Sequence, residues 1–300
     1  MSVFRLKDWW KHGLLASMGM VLAVGGVLAA GAWYLLRRRS PDPSDPPTNY
    51  DLSYQEVAFH ARDGVKLRGW WIPAPSGHEP APTVIMAHGQ AGSMDADTAQ
   101  MVPLHQAGFN VLMFDFRGHG RSEGNTVTMG VHEKADLLGA VDYLTDHHGC
   151  QRVGVLGFSM GAAVAVMAAA ESERIAALVA DSSYTTLEHT LRRWSVHPSV
   201  PSLLHEWIVD NSLTLASVIT GVPLREAQPI SAVSRLADRP VLFIYGERDP
   251  FVTVEEMRQM SAITRNAELW LVPDAGHRDA YHSDPDTYNQ RVIGWFKRWL

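Results

Sequence analysis

Gly157-Phe158-Ser159-Met160-Gly161 has the residue types and spacing that turn a serine into a nucleophile. It follows Arg152-Val153-Gly154-Val155-Leu156, a short apolar run that reads as a buried strand. It precedes residues 162–170, rich in alanine and valine, which read as a helix. G-x-S-x-G between a strand and a helix is the nucleophile elbow, a turn so sharp that the serine is strained and its hydroxyl stands out over the sheet. Side chains at positions 157 and 161 would collide with neighbouring backbone, so both positions call for glycine.

A hydroxyl attacks only with a base in hydrogen-bond reach and a carboxylate to orient that base. On an open parallel sheet such groups sit on loops at the carboxyl ends of strands, and an elbow serine is followed in the chain by its acid and then its histidine. Asp249 fits the acid, in the turn Gly246-Glu247-Arg248-Asp249-Pro250 after the apolar run 241–245. Glu247 in the same turn and Asp181 at another strand end are its rivals. Of fourteen histidines, His277 alone lies downstream of Asp249 on the next strand-end loop, after Pro273-Asp274-Ala275-Gly276. Acyl transfer also needs donors for the oxyanion. The Met160 backbone N–H is one, and the Gln90 N–H in His88-Gly89-Gln90-Ala91-Gly92 is the other. His88 reads as a structural hydrogen-bonding residue. Arg117 and Arg121, in the glycine-rich loop 115–124, read as anchors of that loop, because a guanidinium fork suits buried carboxylates and carbonyls.

The elements that must hold these loops are legible as alternating strands and helices. A hairpin spans 53–61 and 65–73. Further strands are expected at 83–88, 110–115, 152–156, 175–180, 240–245 and 268–272, and helices at 95–107, 131–147 and through Trp295 and Trp299. On the helix at 131–147, Asp136, Asp142 and Asp146 read as polar-face residues. Runs apolar on both faces indicate a mostly parallel sheet covered by helices on either side. Residues 184–229 carry no strand signal but hold Trp194, Trp207, Ile208 and Leu213, and read as a helical insertion over the site. Within it, Trp194 and Trp207 are the candidate substrate-lining side chains.

Composition bounds the rest. A hydrophobic fraction of 46% and a charged fraction of 19% fit a globular enzyme with a large core. The net charge of −6 gives no footprint for nucleic acid. A single cysteine, Cys150, forbids an intrachain disulfide. No Cys-x-x-Cys, His-Glu-x-x-His or Walker loop suggests a metal or nucleotide, so no cofactor is expected.

Residues 14–36 contain no charge and are long enough to cross a bilayer core of roughly 30 Å as a helix. Trp33 and Tyr34 suit the interface. The reading is a permanent single-pass anchor, with residues 1–13 as a short basic lead. A cleaved signal peptide competes through Ala30-Gly31-Ala32, although Trp33 and Arg37-Arg38-Arg39 make an awkward mature start. Three basic residues on each side of the span cancel any orientation signal. Residues 37–49, rich in arginine and proline, read as a stiff tether to a domain spanning 50–300.

His88-Gly89, the loop 115–124, the elbow 157–161, the turn 246–249 and Gly276-His277 together resemble the α/β-hydrolase superfamily, in its order. The resemblance implies an eight-stranded, mostly parallel sheet with a cap after the sixth strand. Within the superfamily it is similar to membrane-anchored serine hydrolases of esterase, lysophospholipase-like and peptidase-like kind. A serine nucleophile argues against dehalogenase or epoxide hydrolase chemistry. His-Gly-Gln in place of His-Gly-Gly-Gly gives no support to lipase specificity. The expected activity is hydrolysis of an ester, thioester or amide in a small-molecule or lipid-like acyl substrate, without a cofactor. An acyltransferase on the same residues and a non-catalytic membrane-bound binding protein are the alternatives. The sequence sets neither substrate nor oligomeric state.

Overall fold

Eight strands form one sheet in the computed structural model, which describes residues 9–75, 81–194, 199–236 and 238–300. They are β1 (Gln55–His60), β2 (Lys66–Ile72), β3 (Thr83–Ala87), β4 (Asn110–Asp115), β5 (Val153–Phe158), β6 (Ile175–Asp181), β7 (Val241–Gly246) and β8 (Ala267–Val272). Their order is β1-β2-β4-β3-β5-β6-β7-β8. β2 runs antiparallel to both neighbours, and the remaining pairs are parallel. Every residue of β3, β5, β6 and β7 is buried, as a sheet covered on both faces demands. The register lines up the carboxyl ends: Ala87 pairs with Gly157 and Phe158 with Asp181.

The helices are α1 (Trp9–Leu36), α2 (Thr98–Gln106), α3 (Glu133–His148), α4 (Met160–Ala169), α5 (Leu187–Trp194), α6 (Ser202–Thr220), α7 (Pro229–Val233), α8 (Val254–Ile263), α9 (Ala280–Ser283) and α10 (Pro285–Trp299). α4 is apolar all round and entirely buried, because it lies between the sheet and its neighbouring helices. α5, α6 and α7 fill the segment between β6 and β7 that shows no strand signal. Local chemistry sets several ends. Thr253 and Glu256 form a capping box for α8. Asp284 caps α10 just before Pro285. Glycines 149 and 221 end α3 and α6 in the left-handed conformation.

The structure departs from the sequence reading at two helix starts and on one helix face. The helix expected over 95–107 begins as a 3-10 turn, Met94–Asp97, because the Asp95 and Asp97 carboxylates are committed to Arg121 and Arg278. The helix expected from 131 starts at Glu133. The Glu133 carboxylate folds back to accept from Thr128 N, Thr128 Oγ1 and Gly130 N, each at 2.7 Å, and this holds the preceding turn. Asp136 is not on a polar face. It is buried, and with Asp63 it grips the Arg117 guanidinium, which anchors the glycine-rich loop.

The segment after α1 is docked rather than free. Leu28, Gly31, Ala32, Leu35 and Leu36, spaced by three and four, form the stripe of α1 that turns away from solvent. Burying Leu35 and Leu36 contributes roughly 1.5–3 kcal/mol each. Gly31 approaches α6 so closely that a methyl there would lie 2.5 Å from Ser212 Oγ. Arg38 donates to the carbonyls of Gly120, Ser122 and Gly124 at 2.6–2.9 Å. Asp42 and Ser93 exchange hydrogen bonds, and Asp45 N–H donates to Asp95. A composition rich in proline and charge reads as linker, but here Arg38, Arg39, Asp42 and Asp45 are hydrogen-bonded to the helix and to the loops beside it.

Candidate active site

Ser159 occupies the single position between β5 and α4, with φ 51° and ψ −111°. A non-glycine residue held there costs about 1–3 kcal/mol and persists only where the surroundings over-determine it. Here they do. Ser159 N–H donates to Asp181 O at 2.8 Å, and Ser159 O accepts from Ala163 N at 3.1 Å. A methyl on Gly157 would lie 2.6 Å from Ala162 Cα, and one on Gly161 would lie 2.0 Å from Ala87 O. Both obstacles are backbone, so no rotamer change relieves them.

The structure brings Ser159, His277 and Asp249 together from the loops after β5, β8 and β7. His277 Nε2 lies 2.8 Å from Ser159 Oγ, and Nδ1 lies 2.7 Å from Asp249 Oδ2. A carboxylate only accepts, so Nδ1 carries the proton and Nε2 offers a lone pair to the serine hydroxyl. The Asp249 side chain is fully enclosed. Its Oδ1 accepts from Phe251 N at 2.8 Å and Val252 N at 3.3 Å. The Phe251 ring stands edge-on to His277 at 4.8 Å. Glu247 is exposed, while Asp181 is buried and accepts from Tyr288 and Ser182, each at 2.9 Å. The histidine's partner is therefore Asp249.

Gln90 and Met160 line the same cavity as Ser159 and His277, a space of about 190 Å³. His88 ties the Gln90 loop to the sheet: Nε2 accepts from Phe116 N at 3.0 Å, which leaves Nδ1 to donate to Gly89 O at 2.7 Å. His119 Nε2 lies 2.9 Å from Gln90 O. The Gln90 amide, turned so that its oxygen faces the guanidinium, accepts from Arg39 Nε at 2.8 Å. Arg39 also donates to Tyr34 O and Leu35 O, the last carbonyls of α1. The sequence held no signal for this bridge between α1 and the loop.

Arg278 and Asp97 are further site residues that sequence reasoning missed. Arg278 has φ 62°, lines the cavity, lies 4.8 Å over the Phe158 ring and pairs with buried Asp97. The partners are 181 positions apart, so no spacing could have joined them. Trp194 lines the cavity, whereas Trp207 stands exposed on α6 outside the residues that line it. Among the described residues no group of three or more side chains is placed to hold a metal ion.

Sheet order, elbow and loop positions define an α/β hydrolase, and the chain belongs to that family. Residues 82–228 match the family profile described as the alpha/beta hydrolase fold. The esterase Pf2001 of Pyrococcus furiosus superposes with a TM-score of 0.72 and 32% identity, over 87% of this chain and 99% of that one. The uncharacterized protein YfhR of Escherichia coli is 29% identical over 251 residues, covering 80% of each chain. The uncharacterized protein Rv2307c of Mycobacterium tuberculosis is 29% identical over 287 residues, covering 91% of each. An esterase at this likeness supports hydrolase activity on a small-molecule substrate. The chain also carries one N-terminal helix, His12–Leu36, long and apolar enough to cross a membrane.

Proposed function

We propose that this protein is a membrane-anchored serine hydrolase that cleaves a carboxylic ester through an acyl-enzyme on Ser159. The observation that carries the reading is the unbroken hydrogen-bonded line from Asp249 through His277 to Ser159 Oγ. His277 Nε2 takes the hydroxyl proton as Oγ adds to the carbonyl carbon. The Gln90 and Met160 N–H groups receive the oxyanion. As the tetrahedral adduct collapses, the ester C–O bond breaks and His277 returns the proton to the leaving alkoxide. Water, deprotonated by the same histidine, then attacks the acyl-enzyme and releases the acid. Asp249 holds the imidazole in the required tautomer and stabilises the imidazolium. The docking of α1 on the domain supports a retained anchor rather than a cleaved leader.

A fluorophosphonate probe should label Ser159, and Ser159→Ala should lose both label and ester turnover, a fall of several orders of magnitude in rate. Near-wild-type turnover by Ser159→Ala would remove the mechanism. An acyltransferase would reveal itself if an added alcohol captured the acyl group in preference to water.

A further inference from the structure

The cavity at Ser159 has a neighbour. A second cavity of about 320 Å³ lies between α1, α5 and α6. Gly31, Tyr34 and Leu35 wall it on the α1 side, Leu191 on α5, and Ile208 and Val209 on α6. No charged side chain lines it. Trp194 lines both cavities. Its ring packs edge-on against Tyr34 of α1 at 5.8 Å and against Phe251 at 6.1 Å, and Phe251 in turn meets His277. A row of aromatic rings thus leads from the apolar helix to the histidine.

Size and surroundings say what this second space suits. The space at Ser159, about 190 Å³, is below the roughly 300–1,000 Å³ of small-molecule sites, and together with its neighbour it falls inside that range. The second space is walled in part by the same helix that is apolar enough to span a bilayer. Beside it, α6 exposes Leu203, Leu204, Trp207, Val218 and Ile219. They stand near the two ends of α6, Leu203, Leu204 and Trp207 at one and Val218 and Ile219 at the other, and each is a side chain that lipid would accept.

We propose that the second cavity takes the distal hydrocarbon of a long-chain acyl ester of a membrane lipid, whose carbonyl lies at Ser159. The tail passes Trp194 and enters sideways from the bilayer that α1 crosses. This rests on the hydrolase and anchor readings above. Lateral entry moves the tail from one apolar medium to another and never exposes it to water. The uncharged walls accept hydrocarbon and exclude an ionised headgroup.

The test uses the full-length protein in phosphatidylcholine vesicles. Ile208→Trp should fill the second cavity and lower the ratio of kcat/KM for a p-nitrophenyl hexadecanoate over the butanoate by at least about tenfold. An unchanged ratio, in a variant that still reacts with a fluorophosphonate, would overturn the assignment. A second measurement does not depend on that variant folding. A hexadecyl fluorophosphonate with a terminal diazirine, bound to Ser159 and photolysed, should attach to peptides from residues 28–36 or 202–216. Attachment only elsewhere would overturn the assignment as well. If this probe fails to label Ser159 while a short-chain fluorophosphonate does, the tail assignment alone falls; if neither labels it, the hydrolase reading falls and the tail assignment with it.

Discussion

Asp249 and Glu247 stand two positions apart in one turn, and only geometry separates them. Asp249 has one carboxylate oxygen on His277 and the other on two backbone amides, while Glu247 faces solvent. Asp249→Asn should therefore favour the wrong imidazole tautomer and cost on the order of 10⁴-fold in kcat. Glu247→Gln should change kcat by less than about twofold, as expected of an exposed residue. Steady-state kinetics giving the reverse ranking would move the acid to Glu247. His88 yields a prediction of another kind. Burial, then the neighbouring His119, drives its pKa well below the usual histidine value. Its ring is neutral in the fold, and the unfolded chain binds a proton near pH 6.5, so the unfolded state gains protons first as pH falls. The contribution of His88 to stability is thus complete above about pH 6.5 and declines below it, down to the depressed folded value. The melting temperature should fall between about pH 7.5 and 5.5, with a shallower slope in His88→Asn; equal slopes would assign the acid sensitivity to other groups. At this scale Ser159, Asp249 and His277 were legible because each sits just past an apolar strand. Arg278, Asp97 and Arg39 were not, because their partners meet only through tertiary folding.

At the scale of elements, strands were easier to place than helix ends or helix faces. Buried parallel strands are continuous apolar runs and announce themselves. Helix starts at Thr98 and Glu133 shifted because carboxylates nearby serve tertiary partners or a preceding turn. In α6 both faces carry apolar residues: Ile208 and Val209 turn inward while Trp207 turns outward. Periodicity therefore could not choose between Trp194 and Trp207 as lining residues. The junction of α1 with the Gln90 loop is the least foreseeable element contact. Arg39 is buried, and burial followed by the neighbouring Arg37 lowers its pKa to about 10, so it stays charged at neutral pH. It joins the last α1 carbonyls to the Gln90 side chain. Under the proposed mechanism Arg39 is a positioning residue for an oxyanion donor. Removing a donor outright costs about 10²–10³ in kcat, so Arg39→Ala, which only loosens one, should lower kcat by about tenfold. KM should hold, because the donor acts on the transition state. A rise in KM with kcat intact would make Arg39 a substrate contact instead, and no kinetic change at all would leave it purely structural.

At the scale of the whole molecule, the question is whether the apolar helix belongs to the mature protein. An isolated signal peptide has no reason to fit the domain behind it. Here the stripe of Leu28, Gly31, Ala32, Leu35 and Leu36 packs toward the domain, and Ala32, Leu35 and Leu36 join the core that contains α4 and part of α6. Cleavage after Ala32 would remove Gly31 and Ala32 from that contact. It would also take Gly31 out of the α1 side of the cavity between α1 and α6, leaving Tyr34 and Leu35 there. Upstream of the stripe the helix exposes Leu14, Leu15, Met18, Val21 and Leu22, side chains that suit lipid. The full-length protein should therefore sediment with membranes and resist carbonate extraction, and mass spectrometry should recover peptides from residues 14–36 on the mature chain. A mature N-terminus at Trp33 would replace the anchor with a secreted protein. In that event Leu35, Leu36 and Arg39 would still be present, so the loop contact to Gln90 could survive while the lipid-facing helix did not. The two outcomes separate in one further comparison. A chain starting at Trp33 should keep turnover of a short ester while losing membrane attachment, whereas an anchor that completes the substrate cavity should take long-chain turnover with it when it is cut away.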